Sequence, residues 1–135
     1  MADKSITAAN VLATSTQYVI KTAAVAITRG QYIYLLANGT VGLADSNAAS
    51  PANSVEGVAL VDCGAGQPCC YVQSDTIFTP GFSDTAGNPV YLSNTAGACT
   101  TAAADVASGS TNIVLGGMLT STTMKFAPQV YGTKP

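Results

Sequence analysis

Histidine is missing from all 135 residues. Its absence removes the usual neutral-pH general base, most catalytic triads and the commonest metal ligand. Charge is scarce as well, with charged side chains making up only 9% of the chain against 47% hydrophobic residues. Solubility therefore rests on Thr, Ser, Asn and Gly. Weak electrostatic self-repulsion favours a surface built to be covered by other protein. The five cations, Lys4, Lys21, Arg29, Lys125 and Lys134, are scattered through a chain of net charge -2. No basic stripe exists, so phosphate-driven binding of nucleic acid is not expected. Residues 1–10 carry Asp3 and Lys4 and no apolar core of a signal peptide, so no export signal is expected. No apolar run approaches the roughly 20 residues of a membrane-spanning helix.

What the chain does have is turn punctuation. Asn38-Gly39, Ser50-Pro51, Gly64-Ala65-Gly66, Pro80-Gly81, Gly87-Asn88-Pro89, Gly97 and Gly116-Gly117 recur at short spacing between β-branched and aromatic runs. Strands are predicted at 31–36, 55–61, 69–73, 90–92, 113–115 and 122–127. In the last of these Met124 and Phe126 share one face and Thr123 and Lys125 the other, the alternation of a half-buried antiparallel strand. Segments 5–12 and 102–107 are the most helix-like, but neither sustains an apolar stripe, so each forms one helical turn at most.

The two halves echo each other. Gly-Gln-Tyr-Ile-Tyr-Leu at 30–35 is answered by Gly-Asn-Pro-Val-Tyr-Leu at 87–92, 55–60 by 114–119, and 70–72 by 125–127. Neither half is large enough to bury an apolar face alone, so the two should share one core. The expectation is a single all-β domain over 1–135, a compact β-sandwich or barrel built from two weakly repeated β units. Residues 1–17 form an N-terminal arm and 130–135 a C-terminal tail.

The motifs that carry chemistry are few. Asp62, Asp75 and Asp84 are the central candidates for a carboxylate pair, but Asp62 and Asp84 adjoin glycine-rich turns, where Asp ordinarily caps its own turn. Cys63, Cys69, Cys70 and Cys99 supply enough thiolates for a zinc shell, yet adjacent Cys69 and Cys70 point to opposite faces of a strand and do not clamp one ion. One of that pair reads as a small buried hydrophobe and the other as a surface or interface residue. Reduced thiols are the expectation without an export signal, and disulfides are the alternative. A nucleophilic Cys has no His beside it as a base. Gly64, Gly66, Gly116 and Gly117 form no phosphate loop and are expected to permit positive φ in turns or bulges. No catalytic residue, cofactor or metal site is assigned. Among the tyrosines, Tyr34 and Tyr91 match across the repeat and should pack inside. Tyr18 and Tyr131 lie outside it and are the candidate interface residues.

The order of these signals resembles that of the cement, or head decoration, proteins of tailed-phage capsids across nearly the whole chain. The resemblance runs from Ile-Thr-Ala at 6–8, through Gly-x-x-Ile-Tyr-Leu at 30–35, Ala44-Asp45, Val-x-Gly-Val-Ala-Leu at 55–60 and Gly66-Gln67-Pro68. It continues to Gly-x-x-Val-Tyr-Leu-Ser at 87–93 and Gly-x-Leu-x-Ser-Thr-x-Met at 117–124. The cysteines at 63, 69 and 70 depart from that pattern. The resemblance implies a non-enzymatic structural protein on the outer capsid surface of a virion, made in the host cytoplasm. It implies binding to the phage major capsid protein and to itself as a homotrimer, with no direct partnership with nucleic acid or membrane. The arm and tail are then the expected contacts. The alternative is a tail or fibre module that binds a host receptor or glycan.

Overall fold

The computed structural model describes residues 3–133, and among them eleven strands form two antiparallel sheets. The first sheet holds, in spatial order, β1 (Leu12–Ala13), β7 (Asp75–Thr79), β11 (Met124–Thr133), β10 (Thr111–Met118), β8 (Pro89–Leu92) and β9 (Cys99–Thr100). The second holds β2 (Tyr18–Thr22), β6 (Pro68–Val72), β5 (Gly57–Ala59), β3 (Tyr32–Leu35) and β4 (Val41–Leu43). Helix is limited to 3-10 turns at Ala8–Asn10 and Ala103–Asp105, inside the two segments the sequence marked. The chain is thus an all-β, two-sheet domain.

The internal echo is realised as strand order. Read from one edge, β2-β6-β5-β3-β4 and β7-β11-β10-β8-β9 follow the same path, so each copy of the repeat makes one sheet and β1 is an addition to the first. The matched residues do not face each other, however. Val90, Met118 and Phe126 enter the core between the sheets, whereas their counterparts Ile33, Ala59 and Tyr71 form a separate cluster on the far side of the second sheet. The copies therefore stack in the same orientation, like spoons. As a result the second sheet is buried on both faces, with Tyr32, Val58 and Val72 on the inter-sheet side. Residues Ala23, Ile27 and Cys63 from its connecting loops cover the other side. Strands buried on both faces read as continuous apolar runs, which is why alternation is visible only near Met124.

Several expectations are corrected. Strands β2 and β7 are full five-residue strands that the sequence reading passed over, as it did the shorter β1, β4 and β9. The arm drawn over 1–17 is docked on its own fold from Lys4 onward. Lys4 N donates to Cys99 O, Thr7 N donates to Gly81 O, Val11 is fully buried, and β1 pairs with β7. The tail drawn over 130–135 is strand as far as Thr133, which pairs with Thr111, while Lys134 and Pro135 lie outside the described residues.

Candidate functional site

Strand β2 is the long open edge of the second sheet. Tyr18, Ile20 and Thr22 stand opposite Val72, Cys70 and Pro68 of β6. That is the side on which Val72 enters the inter-sheet core. Beyond the cover of the first sheet this face is bare: Tyr18 is 55% exposed and Ile20 66%. Lys21 sits in the middle of the strand, a charge that discourages indiscriminate edge pairing. Tyr131 lies in the distal part of β11, where all residues from Gln129 to Thr133 are exposed; its hydroxyl donates to Gln129 Oε1 at 2.7 Å. The neighbouring Val130, opposite Ile113, is also exposed. Both tyrosines singled out in the sequence are thus at the surface, but on different sheets.

Two further apolar residues join the surface on the outer face of the first sheet. Leu12 stands opposite Thr79, and Ile77 shares that face because Phe78 between them points inward. Tyr91 also falls on this outer side, between the inward Val90 and Leu92 and opposite Val114, contrary to the interior place expected from the repeat. Tyr34 does pack against the main core.

The cysteines divide by environment. Cys63 and Cys69 are joined in a disulfide, against the reduced state expected from the sequence; their Cα atoms lie 5.6 Å apart because the 63–69 loop folds back against β6. Cys70 is half-buried, with burial raising its thiol pKa, and Cys99 is fully buried beside the Tyr32 hydroxyl, where burial pushes the thiol up to about 12. Cys69 and Cys70 do face opposite ways, as a strand requires. The native oxidised protein should therefore label at one thiol, Cys70, with Cys99 reacting only on unfolding. Closing so short a loop is worth about 2 kcal/mol, so a Cys63→Ser/Cys69→Ser variant should lose roughly that amount in urea unfolding. Rapid native labelling of both free thiols, or an unchanged midpoint, would contradict this arrangement.

The three central carboxylates are each spent on architecture. Asp75, almost fully buried, accepts from Thr14 N at 2.8 Å, Thr14 Oγ1 at 2.7 Å and Ser15 N at 3.1 Å, tying the β1–β2 crossing to β7. Asp62 accepts from the backbone of Arg29 at 2.8 Å, so it caps a distant loop and not its own turn as expected. Asp84 does cap its own turn through Thr85 N and Asn88, and it also binds the Thr101 hydroxyl and, at 3.0 Å, Lys4 Nζ. The Thr101 hydroxyl, the Lys4 ammonium and the Thr85 N–H together hold its carboxyl well below the usual carboxylate range. A depressed folded-state value stabilises the fold above the unfolded carboxylate value near pH 4, and that contribution is lost as pH falls through the folded value. Asp84→Asn should accordingly be less stable than the parent at pH 7, with the difference shrinking as urea midpoints are followed below about pH 4. A constant difference across that range would contradict the assignment.

Among the described residues no cluster of three or more His, Cys, Asp or Glu side chains is arranged to hold a metal. Nor is any helix among the described residues long and apolar enough to cross a membrane. A cleft of about 840 Å³ lies between the N-terminal segment and the chain at Thr79–Ser83; Lys4 and Arg29 reach into its lining, and no carboxylate among the described residues does. Sequence reasoning missed this cleft because Lys4, Arg29 and Phe82 are brought together by three unrelated segments. Compared with known proteins, the chain matches no protein-family model and no curated protein.

Proposed function

We propose that this chain is a non-enzymatic cement protein of a tailed-phage virion, binding the outer surface of the capsid as a homotrimer and bridging major capsid subunits. The observation that carries the reading is the bare β2 edge. Tyr18 and Ile20 expose apolar area on a strand with an open hydrogen-bonding edge, in a chain with too little charge to keep such a surface apart from other proteins. The doubled strand order and the resemblance in motif order support it. Mechanistically, a protein that binds only the expanded shell lowers the free energy of that state by RT ln(1 + [L]/Kd) at every occupied site, and many modest sites sum to a large stabilisation.

Ile20→Asp tests the role of the edge. Ile20 is exposed in the free protein, so the fold should survive, while burying a lone carboxylate in an interface should weaken capsid binding at least roughly tenfold. Unchanged binding in a cosedimentation titration would remove β2 from the contact. Retention on host cells in place of shells would favour a receptor-binding tail or fibre module.

A further inference from the structure

The cleft beside the N-terminal segment brings positive charge together with no acidic side chain in its lining. The chain carries seven acidic and five basic residues, yet two of the cations, Lys4 and Arg29, line this cleft and no acidic side chain does. Lys4 is already committed, bonded to Asp84 and lying 5.4 Å from the centre of the Phe82 ring. Arg29 is not. Its guanidinium donates to the Val11 carbonyl, and its Nε is shut off from water without an acceptor. The nearby Asp62 is taken up by the Arg29 backbone N–H, and no carboxylate pairs with the guanidinium among the described residues. A partly desolvated guanidinium held by one neutral carbonyl is an uncompensated cation, and an anion supplied from outside restores the balance.

We propose that this cleft binds an extended acidic peptide segment of a partner protein, with an Asp or Glu carboxylate neutralising Arg29. Cleft size fits a short run of residues and exceeds what a lone anion requires. Ser5, Thr7, Ser83 and Thr122 are among its lining residues, hydroxyl side chains suited to a peptide backbone. At the rim Leu12, 61% exposed, offers an apolar contact to the residue next to the acid. A guanidinium fork matches a carboxylate better than an ammonium would. The proposal goes beyond the capsid reading and does not depend on it.

The test is an NMR titration of the full chain with the peptide acetyl-Ala-Glu-Leu-Ala-amide, its Gln counterpart, and inorganic phosphate. The expected result is saturable movement of the Gly81, Phe82 and Ser83 amides and of the Arg29 side-chain signals with the Glu peptide. Binding of the Gln peptide should be at least roughly tenfold weaker, phosphate should not saturate the site, and added salt should weaken the complex. Arg29→Gln should abolish it. Because that change also removes the bond to Val11, Leu12→Glu serves as a second variant: it leaves the buried framework intact and should block binding through like charge at the rim. Equal affinity for the two peptides, tighter saturation by phosphate, or wild-type binding by folded Leu12→Glu would each overturn the proposal.

Discussion

Phe126→Ala should lower the stability of the domain by about 3–5 kcal/mol, the range for removing a large aromatic ring from a close-packed core. Phe126 belongs to β11 of the first sheet and is fully buried. Its ring centroid lies 5.8 Å from that of Tyr32, on the second sheet, and 5.8 Å from that of Phe78, on its own. Tilted pairs at this separation add attraction beyond the area they bury. Truncation takes partners from two rings at once. Phe126→Leu, which keeps most of the volume, should lose far less. Urea unfolding with an unchanged m-value tests the pair. A loss below about 1 kcal/mol for Phe126→Ala would mean that the sheets do not pack through this residue.

The second large effect is expected at a backbone position, where two adjacent glycines should behave differently. Gly116 has φ +151, and a Cβ built on it lies 1.7 Å from the carbonyl oxygen of Lys125. It sits where β10 is irregular against both β11 and β8, opposite Phe126 on one side and Val90 on the other. Alanine there cannot be accommodated by turning a side chain, because the clash is with backbone; the central strands of the first sheet must part. A cost on the order of 3 kcal/mol follows from the strained φ together with lost ladder bonds. Gly117 has ordinary φ, and its nearest obstacle is Asn88 O at 3.8 Å, which is simple van der Waals contact. Gly117→Ala should therefore stay within about 1 kcal/mol of the parent. Equal effects at the two positions in thermal or urea unfolding would refute the bulge.

These positions show how far the residues alone foretell the structure. Positive φ was expected at four glycines; it occurs at Gly66 and Gly116 but not at Gly64 or Gly117, since composition marks a turn or bulge without saying which residue takes the strained conformation. The repeat foretold two related β units sharing one core, but neither their common strand order nor their spoon-like stacking. Which face of Ile33, Ala59 or Tyr71 points inward depends on how the sheets are laid together, and a sheet buried on both sides carries no alternation to read. Strands β2 and β7 have plain β composition in Tyr18-Val19-Ile20 and Thr76-Ile77-Phe78. They were hidden because the crossings that feed them, 14–17 and 73–74, contain neither Gly nor Pro. Asp75 does the turning work there, through hydrogen bonds from residues about 60 positions away that no local pattern encodes. The exposed tyrosines were legible from their place outside the echoed sequence segments, although the strands that carry them, β2 and β11, belong to the repeated sheets. The Arg29 cleft was not, since its walls meet only in three dimensions.

The proposed capsid role meets its most direct test in one experiment: purified protein is mixed with expanded, undecorated tailed-phage capsids, the shells are pelleted, and the pellet is imaged by electron microscopy. The account predicts saturable cosedimentation and symmetric added density at fixed lattice positions on the outer surface, in clusters of three. Protein that remains in the supernatant at saturating shell concentration, or density scattered without lattice symmetry, would contradict it.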